Sequence, residues 1–216
     1  MQVFKEDISF IFNALKRVNS KWTTQIVYTI MENKILRFKE LEKKIEGINT
    51  KILINELKSI ESHGIINRKV YAEVPSRVEY SLTKKGTDLT RLYHEIILFG
   101  EKNSTVAIEG ETANKTAIIK SQLSFAMRSI SSKWSAPIIY SLFEKERRFK
   151  DLERYVEGIS TRMLVKELQH LEKKDIVSRV SYPEVPPRVE YALTDKGKSL
   201  YKIFAELIAF AKKHPD

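Results

Sequence analysis

Cysteine is absent from the 216 residues. That removes disulfides, thiolate zinc sites and thiol redox chemistry. Glycine and proline are scarce, at seven and six, which leaves little room for collagen-like or low-complexity segments. No apolar run approaches the roughly 18–20 residues that span a bilayer. The N-terminal stretch carries Glu6 and Asp7 early and is amphipathic, unlike a signal peptide. These absences predict a soluble intracellular, cytoplasmic protein without a membrane partner.

What is present is a repeat. The stretch from Arg37 to Gly86 recurs from Arg148 to Gly197, and roughly half of the aligned residues are identical. The similarity extends upstream, where Ser20-Lys21-Trp22 matches Ser132-Lys133-Trp134 with one residue of slippage. A unit this long exceeds the roughly 20–50 residues of a solenoid repeat. It predicts two small domains, 1–102 and 116–216, joined by a polar linker over 103–115.

The net charge is +10. Residues 1–102 hold 18 Lys and Arg against 13 Asp and Glu, residues 103–115 contribute −1, and residues 116–216 hold 19 against 13. Both repeats are therefore basic, and no basic tail carries the excess. Basic compact domains point to a polyanion, either nucleic acid or an anionic membrane surface.

Within a repeat, Phe4, Ile8, Ile11, Phe12, Leu15 and Val18 line one helical face, matched by Ile119, Leu123, Ala126, Met127 and Ile130. A second helix begins near Trp22 or Trp134, capped by Ser20 or Ser132. Phe38, Leu41 and Ile45 mark a short helix ending at Gly47. Asn49 then caps a helix carrying Leu53, Leu57 and Ile60; the second copy has Ser160, Leu164, Leu168 and Leu171. Two helices joined by a tight glycine turn form a helix-turn-helix. Ile65–Tyr71 and Val78–Leu82 read as a hairpin around Pro75. Thr83 or Thr194 caps a long apolar final helix, and Gly86 and Gly197 let that helix approach the hairpin. The order predicts a mainly α protein with small β-hairpin wings: two tandem winged helix-turn-helix domains.

Lys-Trp at 21–22 and 133–134, Arg-Phe-x-x-Leu at 37–41 and 148–152, Gly-Ile-Ser-Thr-Arg at 158–162 and the wing segment Tyr182–Thr194 resemble the HxlR-type winged helix transcriptional regulators. The resemblance covers nearly all of each repeat and implies a DNA-binding regulator. Such proteins usually carry one domain per chain and work as homodimers. This chain departs by being a tandem fusion. Its first repeat also has Asn49, Lys51, Ala72 and Ser76 where the second has Ser160, Arg162, Pro183 and Pro187. It lacks the N-terminal cysteine that many relatives use to sense oxidants.

The second helix of such a motif enters the major groove. Its outward residues are Thr50, Lys51, Ile54 and Asn55, and Thr161, Arg162, Val165 and Lys166. Arg162 suits guanine and Asn55 suits adenine, while Thr50 and Thr161 lie where helix N-termini favour phosphate. The alternative is a solvated helix face. Lys21, Arg37, Lys133 and Arg148 are candidate phosphate contacts, or simply solubilising charges. Arg77 and Arg188 at the wing either contact DNA or pair with Glu79 and Glu190. Trp22 and Trp134 read as core anchors.

The histidines, at 63, 94, 170 and 214, do not recur between repeats. There is no metal-site spacing, P-loop or dinucleotide fingerprint, which predicts no enzyme activity and no cofactor. The sequence therefore predicts a sequence-specific regulator that binds double-stranded DNA through an intrachain pseudo-dimer, with further homodimerisation open. A non-specific architectural DNA binder and a winged helix protein–protein adaptor are the alternatives. Any effector is expected to be a small molecule or partner of unknown identity, wedged between the winged domains and the apolar end helices.

Overall fold

The computed structural model describes residues 2–18, 20–74, 76–103, 115–130, 132–185 and 187–215. The expected linker therefore lies almost wholly outside the described residues. So do the side chains of Phe4, Val18, Lys21 and Ile119.

The first repeat runs α1 (Gln2–Val18), α2 (Lys21–Asn33), β1 (Ile35–Arg37), α3 (Phe38–Lys44), α4 (Thr50–Ser62), β2 (Ile66–Tyr71), β3 (Arg77–Leu82), α5 (Lys84–Asp88) and α6 (Thr90–Asn103). The second copies it: α7 (Lys115–Ile130), α8 (Ser135–Glu144), β4 (Arg147–Arg148), α9 (Phe149–Tyr155), α10 (Thr161–Lys173), β5 (Val177–Tyr182), β6 (Arg188–Leu193), α11 (Asp195–Ser199) and α12 (Tyr201–Lys213). The winged helix-turn-helix order is present twice.

Each wing is a three-stranded antiparallel sheet, in the orders β1-β3-β2 and β4-β6-β5. The hairpin reading captured two of the three strands. The third is too short to show alternation, and Leu36 is held opposite Tyr80 by tertiary pairing. The corresponding residue of the second repeat is Arg147, which is also buried. Its Nε donates to the Ser141 carbonyl at 2.9 Å, its guanidinium pairs with Glu144, and it stacks 3.6 Å from the Tyr155 ring centroid.

The long final helix is in fact two. Thr83 and Thr194 accept from the Gly86 and Gly197 amides and so cap the five-residue α5 and α11; α6 and α12 follow. Apolar spacing continues through the break, since Leu89, Leu92, Tyr93 and Ile96 are all buried, so periodicity alone reads straight across it. A Cβ on Gly86 or Gly197 would stand 2.1 Å from the carbonyl oxygen of Ile65 or Ile176, the close approach expected of these glycines. The start of α8 differs slightly from expectation. The helix begins at Ser135, and Ser132 Oγ accepts from the amides of both Trp134 and Ser135.

The two repeats are joined by exchange of their first helices. α1 packs on α12 and α8 of the second repeat, whereas α7 packs on α6 and α2 of the first, and α6 and α12 meet between them. One continuous apolar core results, running from Ile11 and Leu15 through Ile96 and Phe99 to Phe204 and Phe210. Gly100 sets the α6–α7 distance, because a Cβ there would lie 2.5 Å from the Gln122 Cβ.

Polar locks cross the same junction. Tyr140 donates to Asp7 Oδ2 at 2.6 Å, and Lys212 Nζ lies 3.2 Å from Asp7 Oδ1. Burial, then the Asp7 hydrogen bond, pushes the Tyr140 hydroxyl far above its ordinary pKa. Asp88 receives Lys213 Nζ at 2.7 Å and meets His214 Nε2 at 2.8 Å. The Lys213 hydrogen bond, then that of His214, holds the Asp88 carboxyl below its ordinary value.

Candidate nucleic-acid interface

The helix-turn-helix closes as its sequence dictates. Gly47 and Gly158 take φ of 77° between the two helices, a left-handed conformation costly to residues with a Cβ. Asn49 Oδ1 accepts from the Ile52 amide at 2.8 Å, and Ser160 Oγ from the Met163 amide at 3.3 Å. Leu53, Leu57 and Ile60 of α4 turn into the core, as do Leu164, Leu168 and Leu171 of α10. By subtraction, Thr50, Lys51, Ile54 and Asn55 face solvent, and so do Thr161, Arg162, Val165 and Lys166.

The exposed threonines have an intramolecular role. Thr50 Oγ1 donates to Glu42 Oε1, and Thr161 Oγ1 to Glu153 Oε1, both at 2.5 Å. This bond lowers the Glu42 pKa and ties each recognition helix to the helix before it. The first amides of a helix have no intrahelical acceptor, and here the caps take those of Ile52 and Met163.

A second tie was not legible in the sequence. Glu56 on α4 accepts from Ser20 Oγ at 2.9 Å and Thr23 Oγ1 at 2.6 Å. Its counterpart Glu167, itself buried, accepts from Ser132 at 2.7 Å and from Ser135. The start of α2 or α8 is thereby fixed to the middle of the recognition helix. The only sequence signal was identity of these glutamates between the repeats, and a glutamate on a helix ordinarily reads as solvated.

The flanking cations are distributed unevenly. Arg37 and Arg148 are exposed at the starts of α3 and α9; Arg148 Nε lies 3.7 Å from Glu190. Lys133 is exposed, with Nζ 4.4 Å from the Trp134 ring centroid. Lys21 opens α2.

The wing arginines turn inward onto their own hairpins. Arg77 stacks 3.9 Å from the Tyr71 ring centroid and pairs with Glu73 at 3.3 Å and Glu79 at 3.5 Å. Arg188 repeats this with Tyr182 at 3.9 Å, Glu184 at 3.1 Å and Glu190 at 3.3 Å. The expected ion pairs are present. The exposed wing cations that sequence reasoning passed over are Arg68, Lys69 and Arg179. Trp22 and Trp134 are half-buried against the core.

Among the described residues no group of acidic or histidine side chains could hold a metal ion, and no helix is long and apolar enough to cross a membrane.

Two helix-turn-helix units with capped, outward-facing second helices and paired wings define a winged helix protein of duplicated form. The HxlR-like helix-turn-helix family matches residues 17–107 and again 129–216. The chain belongs to that family, which it carries twice. It is 40% identical over 89 residues to an uncharacterised HTH-type transcriptional regulator of Halalkalibacterium halodurans, covering 41% of this chain and 79% of that one. It is 37% identical over 86 residues to the HTH-type transcriptional regulator YodB of Bacillus subtilis, covering 40% of this chain and 77% of that one. The solved structure of reduced YodB aligns at 34% identity and a TM-score of 0.42, over 44% of this chain and 93% of that one.

Proposed function

We propose that this chain is a sequence-specific regulator of transcription that binds double-stranded DNA as a pseudo-dimer within one polypeptide. The observation that carries the proposal is the pair of recognition helices, α4 and α10. Each presents an exposed polar and cationic face and is held in one body through the exchanged first helices. Family relatives named as HTH-type regulators support the reading.

In this reading α4 and α10 enter major grooves on one side of the duplex. Arg162 grips guanine O6 and N7, and Asn55 pairs with adenine. Ile54 and Val165, both exposed in the middle of the face, meet thymine methyl groups. Lys51 and Lys166 reach base edges or adjoining phosphates. Thr50 and Thr161 bring helix-start amides to phosphate. Lys21, Lys133, Arg37 and Arg148 contact the backbone and position the protein without reading sequence. Arg77 and Arg188, engaged by their own hairpins, stiffen the wings and are not offered to the duplex.

Selection of bound sites from random DNA tests this. The expected product is an approximate inverted repeat with unlike halves, since Lys51 and Asn55 offer different chemistry from Arg162 and Lys166. Recovered pools with no shared sequence, and affinity governed by salt alone, would instead identify a non-specific binder.

A further inference from the structure

We propose that the cleft between α1 and the helix-turn-helix of the second repeat is a binding site for a small planar aromatic carboxylate. The cleft encloses about 280 Å³, near the lower end of the range for small-molecule sites. That suits one or two fused rings with an acid group.

Its walls come from Phe12 of α1, Trp134 and Pro137 at the start of α8, and Tyr155 at the end of α9. Three of these four are aromatic, and although Arg147 covers one face of Tyr155, a flat ring finds Phe12 and the aromatic edges to pack against. Lys133 also lines the cleft, its ammonium over the Trp134 ring. A carboxylate on a ring stacked there meets a cation already in place. Glu157 shares the lining. Its charge opposes any second negative group, so the ligand is a monoanion whose carboxylate lies on the Lys133 side, with a donor group on the ring facing Glu157.

The wall is particular to the second repeat, because the first has Gln25 and Lys44 where the second has Pro137 and Tyr155. A Cβ on Gly47 would lie 3.9 Å from the Trp22 indole, whereas a Cβ on Gly158 would meet nothing within 4 Å. The Trp22 indole thus touches its own turn, while the cleft beside Trp134 extends to Gly158. The α1 wall belongs to the other repeat, so helix exchange completes the site.

The test uses the full chain without DNA. Naphthoate is titrated by calorimetry and followed by fluorine NMR of fluorotryptophan-labelled protein. The two tryptophans give separate signals, assigned with Trp22→Phe. One naphthoate per chain should bind, and it should move the Trp134 signal and not that of Trp22. Naphthamide, which lacks the charge, should bind about tenfold more weakly, and Lys133→Met should weaken naphthoate to a similar degree, the scale of one charge-assisted hydrogen bond. Lys133 is exposed, and methionine keeps its apolar stem, so that variant should fold. No saturable binding at millimolar naphthoate overturns the proposal. So does binding of two molecules per chain, a shift confined to Trp22, equal affinity for naphthamide, or unchanged affinity in Lys133→Met.

Discussion

Ile54 and Val165 stand out among the individual residues of the recognition face. They are apolar, β-branched, and 39% and 41% exposed at the same place in both repeats. Thymine is the base that offers a methyl group in the major groove. Uracil substituted for thymine at the matching position of a selected site should weaken binding about fourfold, the worth of about 0.8 kcal/mol per buried methyl-sized group. Val165→Ala should abolish that sensitivity in the half-site read by α10, as measured by parallel titration of the two DNAs. Arg162 lies on the same face and makes a different prediction. Arg162→Ala should cost about 1–3 kcal/mol on the selected site and much less on scrambled DNA. Equal loss on both would make it a phosphate contact.

At the scale of elements, the recognition helices are set in place by carboxylates. Glu167→Ala would leave the Ser132 hydroxyl without its carboxylate acceptor and the buried Ser135 hydroxyl with Ser132 alone. Stability should fall by about 1–3 kcal/mol, read from denaturant melts. Glu56→Ala should cost less, because Glu56 is more exposed than Glu167. These glutamates mark where sequence reading stopped. The caps at Asn49 and Ser160, the glycine turn, the leucine faces and the two hairpin strands were legible because each rests on local chemistry. β1 and β4 were not, since two or three residues carry no period and their pairing to β3 and β6 comes from tertiary structure. The break between α5 and α6 was hidden by apolar residues that stay in phase across it. The stripe on α1 showed that the helix is buried but could not show on what. Ile11 and Leu15 would look the same packed on either repeat, and the exchange onto α12 and α8 is a property of the assembled chain.

Taken whole, the molecule fixes two unlike recognition helices at one separation, and the junction that does so is lopsided. Asp88 binds Lys213 and His214 across it, while the equivalent position of the second repeat is Ser199. The folded-state pKa of Asp88 is depressed from 3.8, so its carboxylate contributes stability above that value and loses it as pH falls through the lower folded value. Melts of Asp88→Asn should differ from the wild type at neutral pH and converge with it in acid below 3.8; a constant gap across that window would place the effect elsewhere. Separation is also what DNA would test. Half-sites read by two such helices lie about one helical turn, near 34 Å, apart. Inserting about five base pairs between them turns one half-site to the far side of the duplex. The intact protein should then bind only as tightly as it binds a single half-site. Gly100 sets the spacing from the protein side. Gly100→Val forces α6 away from α7 at Gln122, where even a Cβ would clash, and overpacking of this kind costs about 1–3 kcal/mol of stability. The variant should lose affinity for the full inverted repeat while keeping its affinity for a lone half-site, because each recognition helix is anchored within its own repeat by Glu56 or Glu167. Equal losses on the two DNAs would show that the junction does not set the reading distance.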